Sequence, residues 1–597
     1  SAAPRNYDGE AITVAKKTVK HVIPRWRYYF VMSILGSLPV IVGVKIAQLQ
    51  IMPSEEHGRD FLQDQGDARS IRKETIPAHR GLITDRNGEP LAVSTPVTTL
   101  IANPKRIQQS ASAADVEKLA AALDVSLSQL QGRLKRYRNK SFMYLARQLP
   151  TPEAERILDL RIPGVEGRQE YKRFYPAGEV TAQLVGFTDI NDDGQEGMEL
   201  AYNAFLTGES GSKKVVKDLS GRVIKDIALI KPASPGNSLK LSIDLRVQYA
   251  AYRSLKAAVQ RHQAKSGSVV VLDVQTGEVL AMANQPSFNP NDRSNLRPES
   301  IRNRAVTDIM EPGSTVKPFT MLAALESGKF EPESVINTSP GYVKVSYKTF
   351  VDYRDYGQLD MAGILTKSSQ VGTTKIALAL NPQTTRELFE RMGFGEDIGS
   401  GFPAETAGNL PAYRKWDPVT QATFAFGHGL SASSLQLARA YSVLANNGAR
   451  QEVSMTAIEY APEAIQVVDS QLVQSIRTML ETAVGDTGTG KRAMIDGYSV
   501  GGKTGTVHKV KASGGYDSHR YMSVFAGLSP VEDPRLVTVV VIDEPRDGDY
   551  FGGLVAAPVF SEVTGNALRL LQVTPDDMDI NRNVGSVKAM MAKRGNP

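Results

Sequence analysis

Residues Ser268-Val-Val-Val-Leu-Asp-Val274, Gln275-Thr-Gly277 and Glu278-Val-Leu-Ala-Met-Ala283 place two apolar runs on either side of a glycine turn. An apolar run of this length, rich in β-branched residues and closed by turn residues, reads as a strand buried on both faces. The stretch therefore predicts a strand, a turn and a second strand. Working outward, residues 247–262 read as a helix, and further strands are expected at Ser499–Val510, Ser523–Ser529 and Leu536–Ile542. A last helix is expected over Ala556–Leu571. Strands at both ends of a long helical insert imply an α+β domain around one mostly antiparallel sheet.

The insert carries the chemistry. Glu311-Pro-Gly-Ser314-Thr-Val-Lys317-Pro-Phe319 opens a helix, with Pro and Gly before it and an apolar run to Leu325 after it. Ser314 and Lys317 are three apart and share a helix face. A neutral lysine there takes the serine proton and makes the hydroxyl a nucleophile. Its pKa must then be lowered by burial or by neighbouring positive charge. The same spacing recurs at Ser70/Lys73 and Ser210/Lys213, which read as surface coincidences. Ser314 differs by its company. Ser368-Ser-Gln370 follows 54 residues on, and Lys503-Thr-Gly505-Thr506 comes 135 residues later. Lys503 sits in a glycine-studded strand, where a substrate backbone can approach closely and pair along an edge.

Composition narrows the alternatives. With 597 residues the chain exceeds one core, so two or three domains are expected. Net charge is +6 with the two signs interspersed, which gives no case for nucleic acid. Cysteine is absent, and the seven histidines form no HxH or HExxH pair, so neither disulfides nor a metal site is expected. From Tyr28 to Val44 there is no charged residue, a length that matches a bilayer core. Arg5, Lys16, Lys17, Lys20, Arg25 and Arg27 precede this run, whereas Glu55, Glu56, Asp60 and Asp64 follow it. The positive-inside rule puts the N-terminus in the cytoplasm and the remainder outside. The run is long for a cleaved signal peptide and no A-x-A site follows, so an uncleaved anchor is expected.

Residues 50–235 show no catalytic cluster. They carry Ile76-Pro-Ala-His-Arg80-Gly-Leu-Ile-Thr-Asp85-Arg-Asn-Gly88, with Asn87-Gly88 as a hairpin turn, then Arg173-Phe-Tyr-Pro176 and Gly194-Gln-Glu-Gly-Met-Glu199. These read as turns whose charges pin a loop-rich domain. Ala233-Ser-Pro-Gly-Asn237 is linker-like, and the chain divides into 1–27 (cytoplasmic), 28–49 (anchor), 50–235, 236–573 and a polar tail, 574–597.

The ordered set S-x-x-K, S-x-N and K-[ST]-G is similar to that of penicillin-binding proteins and serine β-lactamases. Over about residues 60–572 the chain resembles class B penicillin-binding proteins, with 50–235 as their non-catalytic pedestal domain. Gly427-His-Gly-Leu-Ser431, Lys503-Thr-Gly-Thr-Val and Ile542-Asp-Glu-Pro545 resemble the division-specific Gram-negative members best; the elongation-specific members share the catalytic motifs. The resemblance implies a five-stranded, mostly antiparallel sheet with helices on both sides. It also implies a serine D,D-transpeptidase that cross-links peptidoglycan stem peptides ending in D-Ala-D-Ala, uses no cofactor, and is blocked by β-lactams. Ser314 would be the nucleophile, Lys317 its base and Ser368 a proton relay. Gln370 would bridge Lys317 and substrate, while Lys503, Thr504, Gly505 and Thr506 would bind the substrate. The implied acceptor is the side-chain amine of meso-diaminopimelate. The implied setting is the inner membrane at the division septum, with a glycan-polymerising membrane partner and other division proteins. A β-lactamase would need neither pedestal nor anchor, and a binding scaffold without turnover would not need both Ser314 and Lys317. One departure stands out: the family carries Asn where this chain has Gln370.

Overall fold

The structure is a computed structural model that describes residues 24–50, 71–217, 223–412, 414, 416–511 and 514–577. The chain forms two compact units, 1–75 with 212–231, and 76–211 with 232–597. In the first, Arg25–Gln50 is one helix with Pro39 inside it. Among the described residues it alone is long and apolar enough to cross a membrane. It starts three residues before the expected anchor, because Arg25, Trp26 and Arg27 continue the helix. The same unit holds a three-stranded sheet in the order Ile71–Ile76, Gly211–Lys217, Val223–Lys231. The expected tail from 578 onward and most of the cytoplasmic segment lie outside the described residues.

The second unit begins with the segments singled out above. Ile83–Thr84 pairs antiparallel with Pro90–Ala102 across the Asn87-Gly88 turn, as expected. Asp85 Oδ1 accepts the Asn87 and Glu89 N–H groups at 2.7 and 2.8 Å, and Gly88 takes φ +92°. Pro90–Ala102 also pairs with Met143–Leu149 and Val165–Phe174. The three charged segments meet at one point. Arg80 Nε and Arg173 Nε each donate to Glu199 at 2.6 Å, and all three side chains are buried. Arg80 also reaches Asn203 Oδ1 and Thr207 Oγ1 at 2.8 and 2.9 Å, satisfying most of its planar fork. Leu239–Lys240 pairs in parallel with Ile83–Thr84, so strand pairing crosses the Ser-Pro-Gly cluster at 234–236.

The remainder is built on five antiparallel strands: β1 (Ser266–Asp273), β2 (Val279–Gln285), β3 (Gly501–Val510), β4 (Tyr516–Ser529) and β5 (Leu536–Asp543). Their spatial order is β2-β1-β5-β4-β3. Successive side chains on a strand point to opposite faces, and both faces are covered here. Val269 and Val271 of β1, with Val540 and Ile542 of β5, pack on helices α1 (Leu245–Arg261) and α7 (Ala557–Leu570). Val270, Leu272, Val539 and Val541 face the other core. That core contains α2 (Lys317–Glu326), α5 (Ser434–Ala445) and α6 (Ser470–Val484). Two short helices, α3 (Met361–Lys367) and α4 (Gln370–Ala379), follow one another nearby. Burial on both faces explains why the strands read as continuous apolar runs. β4 begins at Tyr516, earlier than expected, because residues 516–522 are polar and largely exposed yet still pair with the end of β3.

Candidate active site

Ser314 lies in a tight 3-10 turn, Gly313–Val316, and Lys317 is the first residue of α2. Pro318, near the start of α2, has no N–H to leave unpaired, which suits a first turn. The turn is wedged between elements. A Cβ on Gly313 would lie 2.4 Å from Val507 Cγ2 of β3, and one on Gly427 would lie 2.4 Å from the Gly313 carbonyl oxygen. Both glycines also hold positive φ, +57° and +88°. The buried Tyr441 hydroxyl donates to the Thr315 carbonyl at 2.7 Å and ties the turn to α5. Ser314 itself is half-buried and opens on a cleft of about 420 Å³.

Lys317 is fully buried. Its Nζ donates to the Ser368 carbonyl at 2.6 Å, to Ser368 Oγ at 3.2 Å and to the Ser369 carbonyl at 3.3 Å. Burial lowers its pKa to about 7, against the opposing pull of the Asp352 carboxylate. Sequence spacing placed Lys317 beside Ser314; the structure adds that its amine bonds the middle motif through Ser368 and Ser369.

The middle motif is a corner between two helices. Ser368 caps the end of α3 in the left-handed region, φ +54°. Ser369 starts α4, its Oγ accepting the Gly372 N–H at 2.9 Å. Gln370 is the first residue of α4, with its backbone N–H held by Asp352 at 2.6 Å. Its half-buried side chain lines the cleft shared with Ser314.

The third motif lies on β3, which among the described residues pairs with β4 alone, at the edge of the sheet. Lys503 is fully buried, and its Nζ donates to Thr504 O and Oγ1, both at 3.3 Å. Burial, reinforced by Lys317, holds its pKa well below the usual lysine value. Thr504 Oγ1 bonds Thr489 Oγ1 at 3.0 Å, and Thr506 Oγ1 accepts the Gly552 N–H at 3.0 Å. A Cβ on Gly505 would sit 3.0 Å from both Pro312 O and Thr315 Cγ2. Glycine there lets β3 lie directly against the Ser314 turn. The motif residues thus converge: Ser314, Ser368, Gln370, Thr504 and Thr506 line one cleft, with Lys317 and Lys503 buried beneath it.

Lys213 bonds Asp226 at 3.2 Å on the small sheet, and Ser70 lies outside the described residues. Among the described residues no group of three His, Asp or Glu side chains is placed to hold a metal ion. Sequence reasoning missed two features. Asp352 is one, since a lone Asp after a hairpin carries no motif. The other is a cavity of about 670 Å³ that shares Gln370 with the cleft and contains Glu311, His428 and Tyr516. His428 Nδ1 lies 2.8 Å from Glu311 Oε2, and the Gly429 N–H donates to Oε1 at 2.8 Å. Burial opposes ionisation of Glu311, but these bonds and that of Tyr516 outweigh it and hold its pKa below the usual range.

Residues 267–565 match the penicillin binding protein transpeptidase domain family, and residues 75–241 match the penicillin-binding protein dimerisation domain. The probable peptidoglycan D,D-transpeptidase PbpC of Pseudomonas aeruginosa is 42% identical, covering 93% of this chain and 96% of that protein. The peptidoglycan D,D-transpeptidase FtsI of Escherichia coli K12 is 40% identical over 92% of this chain and 93% of its own length. Among solved structures, the transpeptidase domain of Burkholderia pseudomallei penicillin-binding protein 3 aligns at 39% identity with a TM-score of 0.52, covering 56% of this chain and 97% of that one. A peptidoglycan synthetase from Bifidobacterium adolescentis aligns at 25% identity and TM-score 0.67 over 85% of this chain and 98% of its own. With the motifs gathered in one cleft and both domains matched in order, the chain belongs to the class B penicillin-binding proteins.

Proposed function

We infer that this protein is a serine D,D-transpeptidase that cross-links peptidoglycan stem peptides, with Ser314 as nucleophile. The observation that carries the reading is the convergence of three motifs, remote in sequence, on one cleft above two buried lysines. A lysine with a pKa of about 7 is largely neutral just above neutral pH and able to accept a proton. In the proposed cycle Lys317 takes the proton of Ser314 as Oγ attacks the carbonyl of the penultimate D-Ala. The backbone N–H groups of Ser314 and Thr506 receive the oxyanion, the contribution that is usually largest in acyl transfer. Ser368, bonded to Lys317, passes the proton to the leaving nitrogen, and the last D-Ala departs. Lys503, Thr504 and Thr506 hold its carboxylate, and Gly505 keeps that wall close. Gln370 orients the substrate amide. The amine of a second stem peptide, on diaminopimelate in our reading, then attacks the ester at Ser314 and closes the cross-link. A β-lactam enters as the donor does, and its ring-opened acyl group remains on Ser314.

The relatives' names and the apolar N-terminal helix support a single-pass inner-membrane protein with its catalytic domain in the periplasm. We further propose the septum as its place of action, a cytoplasmic N-terminus, a glycan-polymerising partner, and the division into a pedestal (50–235) and a catalytic domain (236–573). The decisive experiment labels the protein with a fluorescent penicillin and maps the adduct by mass. A long-lived ester on Ser314 is expected, and Ser314→Ala should abolish labelling with thermal unfolding unchanged. An adduct on another serine, or release within seconds, would overturn the reading.

A further inference from the structure

Asp352 belongs to none of the three motifs. It follows a hairpin, Tyr342–Val345 with Lys348–Val351, and is buried. Its carboxylate accepts three hydrogen bonds: from Ser369 Oγ at 2.5 Å, the Gln370 N–H at 2.6 Å and the Val371 N–H at 3.1 Å. The two N–H groups belong to the first turn of α4, where backbone donors have no partner within the helix and the dipole favours an anion. Ser369 Oγ simultaneously caps that helix through Gly372. One residue earlier, the carbonyl and hydroxyl of Ser368 hold Lys317 Nζ. A single carboxylate therefore braces the corner on which the buried amine rests.

We propose that Asp352 is a positioning residue for acylation, holding the Ser368–Gln370 corner against the Lys317 amine and supplying the negative charge that balances that amine. The inference rests on the reading of Ser314 as nucleophile and Lys317 as base. The charged surroundings make the balance explicit. Lys503 on β3 has the same sign, and burial followed by the charge of Lys317 lowers its own proton affinity. Asp352 is the opposing charge on Lys317. Tyr356 and Arg354 flank Asp352 on its own segment, and burial followed by Asp352 pushes the Tyr356 phenol upward. Lys367, at the end of α3, lines the same cleft. No other titratable side chain lies on α2 before Glu326.

Removing the negative charge while keeping an acceptor for the two backbone N–H groups makes the Lys317 ammonium less favourable. The neutral amine then persists to lower pH, and the acid limb of the acylation profile moves down. The test measures the acylation rate constant of the full chain with a fluorescent penicillin between about pH 5 and 9, a window that brackets the tuned lysine. Thermal unfolding is followed alongside. Asp352→Asn, whose side-chain oxygen still accepts both N–H groups, should shift the acid limb down by about one pH unit with its plateau within several-fold of the parent. Asp352→Glu keeps the charge but misplaces the brace, so its limb should stay at the parental pH while its rate falls. Asp352→Ala removes brace and charge together, so its limb should move down as in Asp352→Asn while its plateau rate falls roughly tenfold or more, the scale of a lost orienting contact. An Asp352→Asn limb that coincides with the parent's, or an Asp352→Ala plateau rate equal to the parent's, would overturn the proposal. If the parent is not acylated at Ser314, the functional reading fails; an unmoved limb with Ser314 acylated refutes the role of Asp352 alone.

Discussion

Gln370 shows how a one-atom difference is absorbed. Asn at this position would present its amide one methylene nearer the backbone. Because Asp352 and the Ser369 cap fix the start of α4, the backbone has no slack to retreat, and the extra length falls to the side chain. An amide reached through one more rotatable bond is less fixed, yet it can make the same two hydrogen bonds. Gln370→Ala should slow β-lactam acylation by roughly 10²-fold, the scale of a misplaced or missing orienting group, while Gln370→Asn should be tolerated. If Gln370→Ala acylates at the parental rate, the middle motif acts through Ser368 alone. Lys317 allows a second test at this scale. Its ammonium cannot accept the serine proton, so the acylation rate should fall about tenfold per pH unit below a midpoint near 7. A limb centred above pH 9 would mean that burial does not tune the amine. The serines and lysines were legible in the sequence because motif spacing survives without a structure. Asp352 was not, since two of its three hydrogen-bond partners are backbone N–H groups that no side-chain pattern reveals.

At the scale of elements, the Ser314 turn depends on close approach. Gly427 meets the Gly313 carbonyl, Gly313 meets Val507, and Gly505 meets Pro312 and Thr315, so three glycines stack the 427 loop, the turn and β3. Gly427→Ala puts a methyl group where only 2.4 Å is free and forces alanine to φ +88°. The strain is worth on the order of 1–3 kcal/mol. We expect a lower Tm together with acylation slowed at least tenfold, because the displaced atoms adjoin Ser314. Parental kinetics and stability in Gly427→Ala would show that the stack yields freely. Most elements were readable in advance. β1, β2 and β5 are apolar throughout because both faces of the sheet are covered, and α7 follows from its apolar face. The first half of β4 was hidden, since Tyr516–Met522 pair in a hairpin that leaves them mostly exposed and polar. Hydrogen bonding there is not coupled to burial, and only burial writes a pattern into composition.

For the whole molecule, segments that read as isolated charged turns are joined by one buried ion triad. Arg80, Arg173 and Glu199 come from three distant stretches and are paired out of solvent. Glu199→Gln would leave two buried guanidinium groups without the carboxylate they are bonded to, with Asp192 as the remaining negative charge nearby, and removing one partner of a buried pair costs about 3–5 kcal/mol. Denaturant unfolding should register this loss, while the folded fraction should still acylate at the parental rate. Slower acylation in folded Glu199→Gln would instead reveal coupling from the triad to the cleft. The charges were visible in sequence, but their meeting was not, because ion pairing across about a hundred residues leaves no local periodicity. The strand order β2-β1-β5-β4-β3 has one more consequence, for the time course of folding. The middle strand of the sheet is the last to be synthesised, and Ser266 meets Asp543 across 277 residues. Contacts of such long sequence separation form late and slowly. Until β5 arrives, the β1–β2 hairpin and the β3–β4 hairpin are separate pieces with open edges, the condition that invites misassembly. The Ser314 turn rests on β3, so a nascent chain is expected to have its serine but no cleft around it, and reactivity toward penicillin should act as a clock that starts only when the final strand is threaded into the centre.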